Sequence, residues 1–189
     1  LTRNEVIELE SVENLTKNET HARNLWLFSF YFAGIRVADV LKIRWNDIFD
    51  NRLHYRMNKN SKLLSLKIPD KVFPILKDYI NDKQSDEDFI FPEMKKADLK
   101  NAKDVYAKTK TANKKFNKYL VTVAEKAKIS KKVTMHIARH TFGNISEDKI
   151  PINMLQKLYR HSSITTTINY QSNFMHRDAD NALDSVINF

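Results

Sequence analysis

Two histidines and an arginine lie close together in the sequence HIARH, residues 136–140. In a helix, His136 and Arg139 are three residues apart and share one face, and His140 follows one turn after His136. Histidines at this spacing can ligate zinc, but Ile137 stands where H-E-x-x-H has its glutamate, and no carboxylate is near. The pattern therefore disfavours a metal site. The ordinary alternative is a helix with two hydrogen-bonded histidines.

A second stretch that suits anion binding is AGIRVADVLKIRWNDI, residues 33–48. It puts Arg36 just past Gly34, at the start of a predicted helix. A helix N-terminus attracts anions, and an arginine there strengthens such a site. Asp39, three residues further on, can brace the guanidinium.

The run HSSITTTINY, residues 161–170, is a poor helix sequence because β-branching restricts the side chains of its three threonines. Something other than helix propensity must account for a segment that begins with His161 and ends with Tyr170. Two further cations, Lys59 and Lys62, fall in a predicted turn.

Charge is concentrated in one part of the chain. Residues 95–132 hold thirteen lysines and three acidic residues, a net +10, whereas the whole chain of 189 residues carries +9. Such a basic segment predicts a polyanionic partner, with DNA, RNA or an anionic membrane still open, and a solvated helix face as the alternative. There is no cysteine, which excludes disulfides and thiolate zinc sites. The chain begins at Leu1, so we expect a fragment of a longer protein.

The elements that must position these residues are mostly helices. Thr2 and Glu5 predict a capping box, and Asn18 is expected to cap a second helix that ends near Gly34. RVADVLKI is expected to be helical. The lysine-rich segment has an apolar stripe at helical spacing, formed by Phe116, Leu120, Val123 and Ala127.

The hydrophobic period changes to two in the middle of the chain. Alternating residues in RLHYRM and LLSLKIP flank the polar turn NKNSK, which predicts a β-hairpin, and DIFDNRL is expected to add a strand. We therefore predict a mostly α (α+β) fold, a helical body with a small three-stranded antiparallel sheet.

Taken together, the four motifs GIRVAD, the lysine hairpin, HIARHTFG and HSSITTTINY resemble, in order and spacing, the catalytic domain of tyrosine recombinases, the phage integrase family. The resemblance implies a catalytic domain at residues 1–175. The apolar stripe of ADNALDSVINF predicts a C-terminal helix or tail at 176–189 that docks on its own domain or on a neighbouring protomer. Two departures from the family are visible: YRH replaces the common LGH, so Arg160 stands at a glycine position, and the lysine turn lacks glycine.

The resemblance also implies a mechanism. Tyr170 is the expected nucleophile that forms a covalent phosphotyrosyl bond with DNA, and Tyr159 is the nearest rival, although its position predicts packing. Arg36 and Arg139 are expected to bind the phosphate oxygens, with His136 and His161 as proton-exchanging partners and Asp39 and His140 in support. Lys59 is the expected acid for the leaving oxygen, with Lys62 as its competitor. No metal or other cofactor is expected.

The implied partners are double-stranded DNA and further recombinase protomers, with a tetramer on DNA, and no membrane. Expected DNA contacts outside the catalytic set are Lys62, Lys110, Lys114, Lys115 and Arg160. The implied location is the bacterial cytoplasm, at the nucleoid. Two alternatives stay open: a type IB topoisomerase that relaxes supercoils, and a DNA-binding module without catalysis.

Overall fold

The computed structural model describes residues 1–56, 63–146, 149–159, 161 and 163–168. Four of the predicted functional residues lie outside these ranges, namely Lys59, Lys62, Arg160 and Tyr170, as does the predicted C-terminal helix. The described helices are α1 (Arg3–Ser11), α2 (Lys17–Tyr31), α3 (Val37–Val40), α4 (Phe73–Ile80), α5 (Ala102–Lys126), α6 (Met135–Ile145), α7 (Ile152–Tyr159) and α8 (Ile164–Ile168). The strands are β1 (Ile48–Phe49), β2 (Arg52–Arg56) and β3 (Leu63–Lys67).

Helix α2 is the centre of the body, and α5 and α6 pack on it. Its residues Leu25, Trp26 and Phe28 are fully buried. The predicted stripe of the lysine-rich segment is confirmed, because Phe116, Leu120 and Val123 are fully buried on α5. Burial of these large apolar side chains drives the packing of the three helices.

The start of α2 corrects one prediction. Thr16 caps this helix, not Asn18: its hydroxyl accepts from the backbone N–H of Glu19, and the Glu19 carboxylate accepts from the Thr16 N–H at 2.7 Å. A capping box needs its hydroxyl three residues before the acid, and Asn18 already lies in the first turn. The capping box of Thr2 and Glu5 on α1 is confirmed.

Helix α3 is shorter than predicted for RVADVLKI. It ends at Val40, and the N–H groups of Lys42 and Ile43 close tight turns on the carbonyls of Asp39 and Val40. The Ile43 carbonyl then accepts from Ile90, so the chain leaves the helix to pair with the extended segment around residues 89–90. Tertiary pairing overrides the local helical preference here.

The three-stranded antiparallel sheet is confirmed, in the order β1-β2-β3. Leu53 pairs with Leu66, and Leu53 and Tyr55 point into the core as the alternation predicts. Asp50 and Asn51 join β1 to β2 with positive φ angles of 51° and 56°, as a two-residue hairpin turn requires. Within the described residues, no helix combines the length and apolar character needed to cross a bilayer.

Candidate active site

Helix α6 is anchored at the end that carries His136. The Asn117 side chain on α5 accepts a hydrogen bond from the Met135 N–H at 2.9 Å, and the Trp26 indole on α2 donates to the Thr134 carbonyl at 3.1 Å. Thr134, at the N-cap position, makes no side-chain cap of its own. Asn117 therefore serves as a cap supplied by a neighbouring helix, and it sets the position of the first turn of α6.

The turn before Arg36 is held by Ser29. The buried Ser29 hydroxyl donates to the Ile35 carbonyl at 2.6 Å, and the Ser29 carbonyl accepts from the N–H groups of Gly34 and Ile35 at 2.8 and 3.2 Å. Gly34 has a φ of +68°, a region that favours glycine. This bonding fixes the point at which the chain enters α3 with Arg36 as its N-cap residue.

Arg139 joins this turn to α7. Its guanidinium is buried, with Nη1 donating to the Gly34 carbonyl at 2.9 Å and Nη2 donating to the Tyr159 carbonyl at 2.8 Å. The guanidinium carbon lies 3.7 Å from the centre of the Tyr159 ring. Because the group stays charged at any physiological pH, these contacts give a fixed cation inside the protein.

His161 is held between Arg139 and α8. Its Nε2 lies 3.3 Å from Arg139 Nη2, and its Nδ1 lies 3.0 Å from the Thr167 hydroxyl. A guanidinium only donates, so Nε2 must accept, and the proton of the neutral ring belongs on Nδ1, which donates to Thr167. Thr167 is fully buried, whereas Thr165 and Thr166 are exposed. Of the three threonines, Thr167 is thus the one that orients a predicted site residue.

His136 lies in the field of both arginines. Its pKa is lowered below the ordinary value, first by burial and then by the positive charges of Arg139 and Arg36. The His140 ring sits 4.7 Å from the His136 ring, and the pKa of His140 is lowered by burial, then by His136 and Arg139. Positive charges gathered in this way are typical of an anion-binding site.

The structure therefore brings together four of the six predicted catalytic residues, from three distant segments: Arg36, His136, Arg139 and His161. Asp39 is buried, and its N–H donates to the Arg36 carbonyl at 2.8 Å. The predicted brace between the Asp39 carboxylate and the Arg36 guanidinium stays a prediction. No three histidine, cysteine or carboxylate side chains in the described ranges group together as a metal site would need.

Lysines on α5 differ in their surroundings. Lys110, Lys114 and Lys115 are exposed on the helix surface, as a phosphate-binding face requires. Lys126, in contrast, is bonded to the Glu19 carboxylate at 2.8 Å and to the Asn14 carbonyl at 3.0 Å. The charge of Lys126 is thus paired within the protein.

Several residues of the site were not found from the sequence. Asn117, Ser29 and Thr167 hold the functional side chains, but a lone asparagine, serine or threonine carries no signal in a pattern of hydrophobic and charged residues. Tyr159 is fully buried, which confirms that it packs, and its hydroxyl donates to the Arg139 carbonyl. Ser163 accepts from the Thr165 N–H at 3.2 Å at the start of α8.

Comparison with known proteins gives consistent matches. The sequence profile described as the Phage integrase family matches residues 1–177. A tyrosine recombinase of Thermosipho africanus is 30% identical over 173 residues, which are 90% of this chain and 56% of that protein. Tyrosine recombinase XerA of Pyrococcus furiosus is 30% identical over 170 residues, 88% of this chain and 54% of that protein. The chain thus spans about half the length of these curated relatives.

Solved structures show the same fold. The crystal structure of XerA recombinase superimposes with a TM-score of 0.66 at 20% identity, covering 98% of this chain and 63% of that one. The pre-cleavage complex of XerH site-specific recombinase with its difH substrate gives a TM-score of 0.69 at 16% identity, covering 97% and 53%. At these identities the likeness concerns the fold alone.

Proposed function

Because the chain belongs to the phage integrase family, we propose that it carries out site-specific DNA recombination or integration, cutting and rejoining strands through a covalent 3′-phosphotyrosyl intermediate. The observation that supports this proposal is the cluster of Arg36, His136, Arg139 and His161, two guanidinium groups and two imidazoles from three separate segments. Such a set fits one phosphate whose negative charge increases in the transition state.

In the proposed reaction, Arg36 and Arg139 bind the non-bridging oxygens of the scissile phosphate. The Tyr170 oxygen attacks phosphorus, forms the new P–O bond and gives up its proton to a histidine of the cluster. The bond from phosphorus to the 5′ oxygen breaks, and Lys59 supplies the proton for that oxygen. The phosphotyrosyl bond retains the energy of the broken phosphodiester, so rejoining by a 5′ hydroxyl is the same reaction in reverse.

The proposed substrate is double-stranded DNA. Lys110, Lys114 and Lys115 are exposed on α5 and are proposed to follow the phosphates, together with Lys62 and Arg160. A related protein, lambda integrase, has been solved as a dimer bound to a COC′ core site and as a tetramer bound to a Holliday junction. We accordingly propose that several protomers of this protein assemble on DNA.

Three further assignments belong to this proposal. Residues 1–175 form the catalytic domain, and residues 176–189 form a C-terminal helix or tail that docks within the domain or on a neighbouring protomer. The protein works in the bacterial cytoplasm, at the nucleoid, where its DNA substrate lies.

A suicide DNA substrate tests the chemistry. After cleavage, loss of the short fragment that carries the free 5′ hydroxyl prevents rejoining, so a covalent protein–DNA adduct accumulates. We expect the adduct from this chain, with the DNA on the tryptic peptide that contains Tyr170. The Tyr170→Phe variant should bind DNA equally well and form no adduct, and Tyr159→Phe is the matched control because Tyr159 is buried. Adduct on another residue would overturn the assignment of Tyr170.

The two alternative functions predict different results when the unchanged chain is given DNA substrates. Relaxation of supercoiled DNA that contains no recombination site would indicate a type IB topoisomerase. Binding without an adduct on any suicide or nicked substrate would indicate a DNA-binding module. The buried Arg139 and its contacts to two carbonyls favour the enzyme, since a module that binds DNA through its surface has no need of a buried cation.

A further inference from the structure

The Tyr159 and Arg139 side chains hold each other in a closed pair. The Tyr159 hydroxyl donates to the Arg139 backbone carbonyl, and the Tyr159 backbone carbonyl accepts from Arg139 Nη2 at 2.8 Å. The centre of the Tyr159 ring lies 3.7 Å from the guanidinium carbon. One hydrogen bond and one ring face therefore act on the guanidinium, and a second hydrogen bond ties the Tyr159 hydroxyl to the backbone of the same residue. A ring over a buried guanidinium attracts it electrostatically and restricts its tilt.

The same ring also contacts the next site residue. The Tyr159 and His161 rings meet edge to face, with their centres 5.3 Å apart and their planes at 77°. Arg139 Nη2 lies 3.3 Å from His161 Nε2. The phenol ring, the guanidinium and the imidazole thus form three mutually contacting groups, and the ring is the only one of the three without a role in the proposed chemistry.

An aliphatic side chain would fill this buried position without these effects. Leucine or methionine has no ring face for the cation and no hydroxyl for the Arg139 carbonyl. Tyr159 is fully buried, so its hydroxyl had to find a partner, and the partner is the backbone of the residue whose side chain its ring contacts.

We propose that Tyr159 is a positioning residue, which fixes the plane of the Arg139 guanidinium and, through it, the Nδ1–H tautomer of His161. The expected effect of Tyr159 on catalysis rests on the proposed function. The expected effect of Tyr159 on the His161 tautomer is independent of that function, because the hydrogen bonds concerned lie within the protein.

Two variants separate the ring from the space it fills. Tyr159→Phe keeps the ring face and loses the hydroxyl, whereas Tyr159→Met fills a similar volume without a ring. Phe142→Met is the matched control, since Phe142 packs 6.3 Å from the Tyr159 ring centre and is itself an aromatic of α6. Tyr159→Leu, which also lacks a ring, replaces Tyr159→Met if the methionine variant does not fold. Thermal unfolding is measured first, and all kinetic work is done where each variant is folded.

The first readout is the nitrogen NMR spectrum of the His161 imidazole, which distinguishes a protonated from an unprotonated ring nitrogen. We expect unprotonated Nε2 in the unchanged chain, in Tyr159→Phe and in Phe142→Met. In Tyr159→Met, Nε2 should become partly protonated, because the guanidinium no longer points at it. Equal spectra for Tyr159→Met and Tyr159→Phe would overturn the proposal.

The second readout is the rate of adduct formation on the suicide substrate at saturating DNA. Tyr159→Met should lower this rate about tenfold, as expected for loss of one cation–π contact, with the Kd for DNA unchanged. Tyr159→Phe should stay close to the unchanged chain. If both variants react alike, Tyr159 does not position the site. Absence of an adduct from the unchanged chain would refute the proposed function, and the NMR result would still decide the role of Tyr159.

Discussion

Gly34 and Arg139 are packed so closely that a Cβ on Gly34 would lie 2.6 Å from the Cα of Arg139. The Gly34 carbonyl in turn accepts from Arg139 Nη1 at 2.9 Å. One glycine thus permits the close approach of two segments and receives the hydrogen bond that ties them. This contact joins the turn that leads to Arg36 to the helix that carries His136 and Arg139.

The Gly34→Ala variant should be strongly destabilised. Its φ of +68° costs a non-glycine residue about 1–2 kcal/mol, and the clash with the Arg139 backbone adds an overpacking cost of about 1–3 kcal/mol. Urea unfolding should show a loss of roughly 3 kcal/mol. Ala33→Gly is the control: Ala33 also has a positive φ, of 56°, so glycine relieves strain there and stability should change by less than about 1 kcal/mol. Unchanged stability of Gly34→Ala would contradict the packing described.

DNA binding should raise the pKa of His136. In the free chain this pKa lies below the ordinary value of 6.5, because burial and the charges of Arg139 and Arg36 disfavour the imidazolium. A bound phosphate brings negative charge and favours the imidazolium, so the complex takes up a proton. The affinity for DNA should then increase as the pH falls from the pKa of His136 in the complex to the lower pKa of His136 in the free chain. Proton NMR titration with and without DNA measures both values.

Charge removal provides the control for this titration. Arg36→Gln removes one cause of the lowered pKa, so the pKa of His136 in the free chain should rise. Arg52→Gln removes a charge that is bonded to Ser65 in the sheet, and the pKa should stay as it is. A pKa of His136 that is the same with and without DNA would mean that no phosphate occupies this cluster.

Truncation of Asn117 should loosen α6. Asn117→Ala removes the acceptor for the Met135 N–H, and loss of a helix cap costs about 1 kcal/mol. Because His136 is in the first turn of α6, adduct formation should slow as well. Asn113→Ala, one turn earlier on α5, keeps the cap and should cost a few tenths of a kcal/mol at most. Denaturant midpoints for the two variants test the difference, and equal midpoints would exclude the capping role.

The exposed lysines of α5 should govern the salt dependence of DNA binding. Each of Lys110→Gln, Lys114→Gln and Lys115→Gln should weaken binding and reduce the slope of log K against log salt by about 1, the effect of one phosphate contact. Lys126→Gln is the matched control on the same helix, because Lys126 is already paired with Glu19. Fluorescence anisotropy from low to moderate salt measures these slopes. A slope that none of the three substitutions changes would assign the DNA surface to another face.

Local patterns in the sequence predicted much of the fold. The period-two alternation around Leu53 and Leu66 predicted the hairpin, and the helical spacing of Phe116, Leu120 and Val123 predicted the buried face of α5. Local patterns failed where several signals compete. Thr16 and Asn18 are both good caps, and only the position of Glu19 selects Thr16. The length of α3 depends on pairing with residues more than forty positions away, which no local pattern contains.

The sequence by itself determined which chemical groups this protein possesses: the arginines, histidines, lysines and tyrosine of four motifs, and the positive charge of residues 95–132. Only the tertiary structure decided that Gly34 and Tyr159 both supply carbonyls to Arg139, and that Thr167 rather than its neighbours orients His161. The physical reason is that hydrogen bonds and burial depend on distances between segments far apart in the chain. Residue type and spacing restrict those distances within one helix or strand, whereas packing of the whole core sets them between elements.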